Sequence, residues 1–126
     1  MKSVATQNAL NPSGHYAQAV IHNGLIYVSA QLAIDPHSGA KLFGNIDEEA
    51  ARVLENIELI LKTAGSDRNH MIRTTVYITD ISLWDQVNAV YRNFFGSHKP
   101  ARTVVAVKEL HFGFKVAIEA IAAVAV

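Results

Sequence analysis

The segment VAIEAIAAVAV, residues 116–126, decides the fold, because ten of its eleven residues are apolar and the remaining one is Glu119. A strand of this composition has apolar side chains on both faces, so both faces favour burial. The chain offers only two segments with helical periodicity, and two helices cannot cover both sides of one sheet. Either the sheet curls into a barrel, or its second face is buried against another subunit. We favour the second, since obligate subunit interfaces resemble a protein core cut in half.

The N-terminal half contains signals for a hairpin, a turn and a helix. Two strand-like runs, residues 16–22 and 25–30, flank the dipeptide Asn23-Gly24, which fits a type I′ hairpin turn. A Pro- and Gly-containing turn at residues 35–39 leads into a short strand. Apolar residues spaced by three and four then predict an amphipathic helix at residues 47–64, with acidic residues at its start and Gly65 after its end.

The C-terminal half adds three strands and one helix. Alternation predicts a strand at residues 71–79, and one of its faces carries Ile72, Thr74, Val76 and Ile78. Ser82, with Asp85 three residues later, predicts a helix that ends near Phe95. Strands follow at residues 103–107 and 115–124. The predicted fold is α+β or α/β, with a mixed sheet and both helices on one of its faces.

Composition narrows the classes of function. The 126 residues are enough for a single domain, residues 1–126, and half of them are apolar. Lys and Arg number 11, as do Asp and Glu, so no basic surface for nucleic acid is expected. The chain has no cysteine, and residues 116–126 are too short to span a membrane. The start of the chain shows no secretory signal, and we therefore expect a cytoplasmic protein without nucleic-acid or membrane partners.

Glu119 and Arg102 are the main candidates for chemistry. A carboxylate inside an apolar strand must be exposed, paired or protonated, because burial of an unpaired charge is costly. Glu119 could therefore face a solvated gap between subunits, pair with Lys115 on the same strand face, or activate a water molecule. Arg102 opens the next-to-last strand, where a guanidinium can bind a carboxylate through two parallel hydrogen bonds or simply lie on the surface.

Tyr16 and Asn88 are weaker candidates. Tyr16 begins a strand, where a tyrosine also packs for purely structural reasons. Asparagine is mildly unfavourable inside a helix, so Asn88 indicates a side-chain contact, although a solvent-facing asparagine is equally ordinary. Six histidines lack the HxH and HExxH spacings of metal sites, and glycine-rich phosphate loops and the GxSxG motif are absent. Catalysis without a metal would thus use Arg, Glu, Tyr, backbone groups and water.

The chain resembles the RidA family, also called L-PSP, over nearly its whole length. The resemblance lies in GHYAQAV at 14–20, IYVSAQLAIDPHSG at 26–39, LKTAG at 61–65, IRTTVYITD at 72–80, VNAVYRNFF at 87–95, PARTVVAV at 100–107 and VAIEAIA at 116–122. Each stretch alone is weak, whereas their order and spacing are highly specific.

The resemblance implies a chorismate-mutase-like fold and a homotrimer with a central β-barrel and three clefts between adjacent subunits. It also implies hydrolysis of reactive enamines and imines, such as 2-aminoacrylate, to 2-oxo acids and ammonia, without a cofactor. Its small-molecule partner would be a 2-imino or 2-oxo acid. A non-catalytic protein that binds small carboxylates, or an endoribonuclease that inhibits translation, are the alternatives.

Site residues follow from the motif positions. Arg102 matches the carboxylate-binding arginine of the family and Glu119 the glutamate associated with the attacking water. Tyr16, Asn88 and Ala30 match, respectively, the tyrosine of GPYSQA, the asparagine of the second helix and the glycine of SGQ, whose backbone lines the cleft. Ala30 therefore adds a methyl group that narrows the pocket or forbids a positive φ. Where the family has an LPxG-type turn, this chain has aromatic residues, and Phe112 is expected at the cleft mouth.

Overall fold

The computed structural model describes residues 1–9 and 11–125, which form six strands and two α-helices. The strands are β1 (Lys2–Val4), β2 (Ala19–His22), β3 (Leu25–Gln31), β4 (Met71–Ile78), β5 (Ala101–Ala106) and β6 (Val116–Ala123). The helices are α1 (Ile46–Thr63) and α2 (Trp84–Phe95). Val126, the last residue of the apolar C-terminal segment, lies outside the described residues. Neither helix in the described ranges is long and apolar enough to cross a membrane.

The strands form one mixed sheet in the order β1-β2-β3-β6-β4-β5. Strands β4 and β5 are parallel, and every other neighbouring pair is antiparallel. Because β1 and β5 are at opposite ends, the sheet does not close into a barrel within one chain. The predicted α+β architecture with a mixed sheet is confirmed, and β6, which carries Glu119, is one of its two central strands.

In the N-terminal half, local sequence signals correctly predicted the hairpin turn and helix α1. Asn23 and Gly24 have φ angles of 52° and 77°, as the type I′ turn requires. Helix α1 is capped by the Asn45 side chain, which accepts a hydrogen bond from Glu48 N, and Gly65 follows with a φ of 83°. The predicted short strand is only an isolated bridge between Ile34 and Lys41. Strand β1 was not predicted, because three residues are too few to show a period.

The face assigned to Ile72 is a wrong prediction. Pairing of β4 with β6 shifts register between Met71 and Arg73. This irregularity breaks the alternation, so Met71 is buried at 1% exposure while Ile72 is 45% exposed. The other predicted inward residues of β4 are fully buried.

The start of α2 also differs from the prediction based on Ser82. A 3-10 turn at Ile81–Leu83 precedes the helix, and its capping residue is Asp80, whose side chain accepts a hydrogen bond from Ser82 N at 2.9 Å. Ser82 therefore supplies the donor of the cap and not the acceptor. An aspartate carboxylate competes well for this position, because it accepts more strongly than a hydroxyl.

The sheet has one buried face and one open face. Helix α1 packs against β3 and β6 and also contacts α2. Helix α2 reaches β4 through Tyr91, whose hydroxyl lies 2.8 Å from Oγ1 of the fully buried Thr74. The opposite face carries half-exposed side chains, including Tyr27, Glu119 and Ile121. In a single chain, the second face of the C-terminal strand is thus only partly covered.

A buried carboxylate fixes where β6 begins. Glu49 in α1 has no exposed surface, and its Oε1 accepts a 2.9 Å hydrogen bond from Lys115 N, just before β6. Lys115 Nζ lies 3.5 Å from Glu49 Oε2, which supplies a counter-charge. Lys115 is therefore paired with Glu49, and of the alternatives considered for Glu119 the structure does not show pairing with Lys115. The Glu49 carboxylate thus holds Lys115 by both its backbone and its side chain.

A second ion pair joins α1 to the segment before β4. Glu58 accepts hydrogen bonds from Arg68 Nε at 2.8 Å and from Arg68 Nη2 at 2.5 Å, and also from Arg68 N. The same guanidinium donates to Phe94 O at 2.8 Å, at the end of α2. Hydrogen bonds from Arg68 hold the pKa of Glu58 below its usual range. The pair thus connects both helices at one end of the sheet.

Glu58→Gln should lower the free energy of unfolding at pH 7 by roughly 1–3 kcal/mol, because Arg68 loses a largely buried charged partner. A carboxylate with a lowered pKa stabilises the fold above its unfolded pKa, and this stabilisation is lost as the pH falls through the folded value. The difference between wild type and variant should therefore shrink below about pH 4. Urea unfolding of both proteins at several pH values measures this difference in the free energy of unfolding.

Glu55→Gln is the matched control, because Glu55 in the same helix forms an exposed ion pair with Arg52. We expect a change of less than about 1 kcal/mol for this variant. Equal losses in the two variants, or a loss at Glu58 that does not depend on pH, would contradict the assigned role of the Glu58–Arg68 pair.

Candidate functional site

A bulge in β3 lies opposite Glu119. Val28 pairs with Ala120 and Gln31 with Ile118, so two residues of β3, Ser29 and Ala30, stand opposite the single residue Glu119. Such a bulge interrupts regular pairing and redirects the side chains beside it. Ala30 and Glu119 line the same hollow.

Glu119 is paired with a tyrosine. The Tyr77 hydroxyl, on β4, donates a 2.5 Å hydrogen bond to Glu119 Oε1. This bond raises the pKa of Tyr77, and partial burial and the negative charge of Glu119 add to the effect. Of the three predicted environments, exposed, paired or protonated, the structure shows a half-buried, paired carboxylate. Its second oxygen, Oε2, has no hydrogen-bond partner among residues 1–9 and 11–125.

Four of the six predicted site residues surround one concave surface, which we call the glutamate cleft. It has a volume of about 550 Å³ and is lined by Glu119, Tyr16, Ala30 and Phe112, together with Leu32, Ile34, His111, Ser13, Gly14 and Ser29. The residues come from β6, the loop before β2, the β3 bulge and the turn before β6. Most of the wall is apolar, and the carboxylate is its only acidic group. This combination is typical of a pocket for a small ligand.

Buried polar side chains hold the cleft wall in place. Ser29 Oγ donates to Ala17 O at 2.7 Å and ties the bulge to the segment of Tyr16. Asn56 of α1 is buried, and its amide donates to the backbone oxygens of Leu32 and Ile34 at 3.1 and 2.9 Å. The wall is therefore attached to the helix layer and to the sheet.

Phe112 at the cleft mouth has an unusual backbone. Its φ is 60° and it is 49% exposed, although left-handed geometry is disfavoured for bulky residues. The Lys41 ammonium lies 4.5 Å from the centre of its ring. Ala30 does not adopt a positive φ. In the described ranges, positive φ angles outside glycine occur at Asn23 and Phe112. The additional methyl group of Ala30 fits its backbone conformation and lines the cleft.

Arg102 lies against one face of α2. Its Nη1 donates to Asn88 Oδ1 at 2.9 Å, and its guanidinium carbon is 4.4 Å from the Trp84 ring centre and 4.9 Å from that of Tyr91. Residues 84, 88 and 91 are spaced by four and three and so share one helix face. Tyr91 is itself fixed by its hydrogen bond to Thr74. The contact that Asn88 was predicted to make is thus with Arg102.

The Arg102 guanidinium has N–H groups without an acceptor among the described residues, and other positively charged side chains lie near it. Apart from the bond to Asn88, Arg102 donates no hydrogen bond to the described residues. It borders a hollow of about 340 Å³, the arginine cavity, whose lining includes Arg92 and Lys99 and no carboxylate. An arginine oriented by stacking, with part of its fork unoccupied, is suited to bind a carboxylate.

In one chain the predicted residues fall into two groups. Tyr16, Ala30, Phe112 and Glu119 line the glutamate cleft, whereas Arg102 and Asn88 line the arginine cavity. Sequence analysis missed Tyr77. The alternation of β4 could have placed it on the face opposite Val76 and Ile78, where an antiparallel β6 presents Glu119.

The sites contain protein groups suited to acid–base and anion-binding chemistry. No group of three or more His, Cys, Asp or Glu side chains arranged to hold a metal ion occurs among residues 1–9 and 11–125. The chemistry that the described geometry itself supports is carboxylate binding at Arg102 and proton transfer at Glu119.

Sequence comparisons place the chain among named relatives. The sequence model of the family described as endoribonuclease L-PSP matches residues 6–124. The chain is 40% identical to human 2-iminobutanoate/2-iminopropanoate deaminase, over 94% of this chain and 87% of the relative. It is 41% identical to a RutC family protein of Pyrococcus horikoshii, over 97% and 98% of the two chains.

Solved structures show the same fold. RidA from the Antarctic bacterium Psychrobacter superposes with a TM-score of 0.93 at 32% identity, covering 98% of this chain and 99% of that one. Escherichia coli TdcF with bound serine gives a TM-score of 0.92 at 33% identity, with 98% of both chains covered. With the family model matching nearly the whole length and relatives at about 40% identity, this chain belongs to the RidA family, described also as endoribonuclease L-PSP.

Proposed function

We propose that this protein hydrolyses the enamine and imine forms of 2-imino acids, such as 2-aminoacrylate and 2-iminopropanoate, to 2-oxo acids and ammonia. The observation that carries the proposal is the Arg102 guanidinium, held by Asn88 and two aromatic rings with donors left free. Relatives at about 40% identity are named 2-iminobutanoate/2-iminopropanoate deaminases, and the TdcF structure contains a bound amino acid.

Arg102 would bind the substrate carboxylate. Two parallel N–H···O bonds fix the plane of the carboxylate and hence the orientation of C2, the electrophilic carbon next to it. The positive charge also draws electron density away from C2. Arg92 and Lys99 in the same cavity add to the local positive potential. Positioning of this kind lowers the barrier without any covalent step on the protein.

Glu119 would act as the general base and general acid of the reaction. Water adds to C2 through its oxygen, its proton passes to the carboxylate, and the carboxylate returns a proton to the nitrogen. The tetrahedral adduct then gives up its hydroxyl proton, which passes through the carboxylate to the amino nitrogen as the C2–N bond breaks and the C2=O bond forms. Ammonia leaves and a 2-oxo acid remains, so that one water is consumed for each ammonia released. Oε2 is the oxygen available for this role, since Oε1 accepts from Tyr77.

The remaining residues would shape the pocket. Tyr16, Ala30 and Phe112 line the glutamate cleft together with Glu119, where each can contact a bound acid. Asn88 acts through Arg102 by fixing its direction. The reaction needs no cofactor in this scheme.

The proposal requires two subunits for each site. Within one chain, Arg102 and Glu119 border different cavities, and a small imino acid cannot occupy both. The face of the sheet that carries Glu119 and Tyr27 is left without helices. We infer that three chains associate through these faces around a central barrel, so that the arginine cavity of one subunit adjoins the glutamate cleft of the next.

A homotrimer is the first expected outcome. Light scattering or sedimentation at micromolar concentration should give about three times the chain mass of 13.7 kDa. The physical reason is the open sheet face, which leaves Tyr27 exposed and Ile121 only partly buried in a single chain. A stable monomer that is active would contradict the shared cleft.

Arg102→Ala should lower kcat/KM for 2-imino acids by about a hundredfold or more, because a charge-assisted bidentate contact is lost. Arg102→Lys should recover little, since an ammonium cannot reproduce the planar fork. Imines are generated in situ and ammonia release is followed. A product-like 2-oxo acid should bind wild type weakly and the alanine variant not at all.

Arg92→Ala is the matched control, because it removes a positive charge from the arginine cavity but leaves the Asn88–Arg102 bond in place. It should retain activity within a few-fold. An Arg102→Ala protein that is folded and clears imines at the wild-type rate would refute the carboxylate-binding role.

Glu119→Gln should keep 2-oxo acid binding and lower kcat by about a hundredfold, because the amide preserves shape and loses the base. Glu48→Gln, an exposed position in the first turn of α1, controls for the loss of a negative charge. Unchanged turnover in Glu119→Gln would leave this glutamate with a structural role only.

A further inference from the structure

We propose that Tyr77 is a positioning residue for Glu119: its hydroxyl holds one carboxylate oxygen and leaves the other for the catalytic water. The inference rests on the imine hydrolysis proposed above and adds a residue to its machinery. Tyr77 does not line the glutamate cleft, so it acts on the reaction through Glu119 alone.

The geometry follows from strand register. Glu119 is directly opposite Thr75, and Tyr77 is opposite Ala117, so Tyr77 and Glu119 are diagonal neighbours across β4 and β6. Diagonal side chains on one sheet face are within reach when one of them is aromatic. The phenol ring spans the gap and its hydroxyl lies 2.5 Å from Oε1.

Glu119 borders a second hollow as well as the glutamate cleft, so the direction of its carboxylate must be determined. This hollow, the sheet-face depression, is formed by Tyr27, Val28, Arg73, Thr75, Ala120 and Ile121 on the open face. A terminal carboxylate rotates broadly about its last bond. The hydrogen bond from Tyr77 fixes Oε1 and thereby limits the positions open to Oε2.

The Tyr77 hydroxyl is a dependable donor for this bond. The hydrogen bond to Glu119 raises the pKa of Tyr77, and partial burial and the negative charge of Glu119 add to the effect, so the hydroxyl keeps its proton throughout the neutral range. The other titratable or charged side chains that border the two hollows around Glu119 are Tyr16, Tyr27, Arg73 and His111. Arg73 donates to Thr103 Oγ1 at 2.7 Å, and among the described residues it forms no hydrogen bond or ion pair with the Glu119 carboxylate that could replace the one from Tyr77.

The test is Tyr77→Phe, which removes one oxygen and keeps the ring. We expect kcat for a 2-imino acid to fall roughly tenfold with KM changed less than about twofold, because a hydrogen bond to a charged group is lost.

A double-mutant cycle separates positioning from packing. In a Glu119→Gln background, Tyr77→Phe should change kcat by less than about twofold, because the residue acts through the carboxylate. Tyr27→Phe is the matched control: Tyr27 borders the same sheet-face depression, is 43% exposed and makes no hydrogen bond through its hydroxyl to the described residues. It should leave both kcat and KM unchanged.

The outcomes distinguish the two proposals. If wild type releases no ammonia from imines, the proposed function is wrong and the inference about Tyr77 is overturned with it. If wild type is active and Tyr77→Phe, folded and with the wild-type subunit number, keeps its kcat, the inference alone is overturned. A tenfold loss of kcat that persists in the Glu119→Gln background would equally overturn it, since Tyr77 would then act through packing.

Discussion

The hydrogen bond from Lys115 N to the fully buried carboxylate of Glu49 is the constraint from which the rest of the site follows. It fixes Lys115, the residue just before β6, relative to α1. Since β6 pairs with both β3 and β4, its start determines which residues of those strands stand opposite Glu119. A shift by one residue would turn the glutamate towards the helices and the apolar neighbours towards the open face. A buried ion pair is a weak source of stability, but it is well suited to specify one register.

Local features of the fold were predictable from sequence because they depend on neighbouring residues. The Asn23-Gly24 turn and the period of α1 are of this kind. Ile72 was placed on the wrong face because a register shift between β4 and β6 interrupts the alternation. Pairing of Lys115 with Glu119 is not observed because Lys115 has a partner distant in sequence, Glu49. A prediction from strand alternation assumes regular pairing along the whole strand, and the sequence does not show where a register shift interrupts that pairing.

The sequence predicted which residues belong to the candidate site better than it predicted which side chains they contact. Arg102 and Glu119 stood out because charged groups in apolar strands need partners, and Asn88 stood out because asparagine is uncommon inside a helix. What each of them contacts was not predictable, since Arg102 lies against Trp84 and Asn88 through packing of β5 beside α2. Tyr77 was overlooked for a similar reason: its relation to Glu119 is diagonal and depends on the register of two strands distant in sequence.

The turn at Phe112 bears on how this protein can diverge in evolution. Its left-handed backbone is set by the turn, and Gly, Asn and Asp occupy such a conformation at lower energy than an aromatic residue, which bears a cost of about 1 kcal/mol. Mutation at this position therefore drifts towards small or polar residues unless selection retains the ring. The side chain is outside the packed core, so its loss would alter the cleft mouth and hardly affect folding. Ligand preference can accordingly change among descendants of this sequence while the scaffold stays the same.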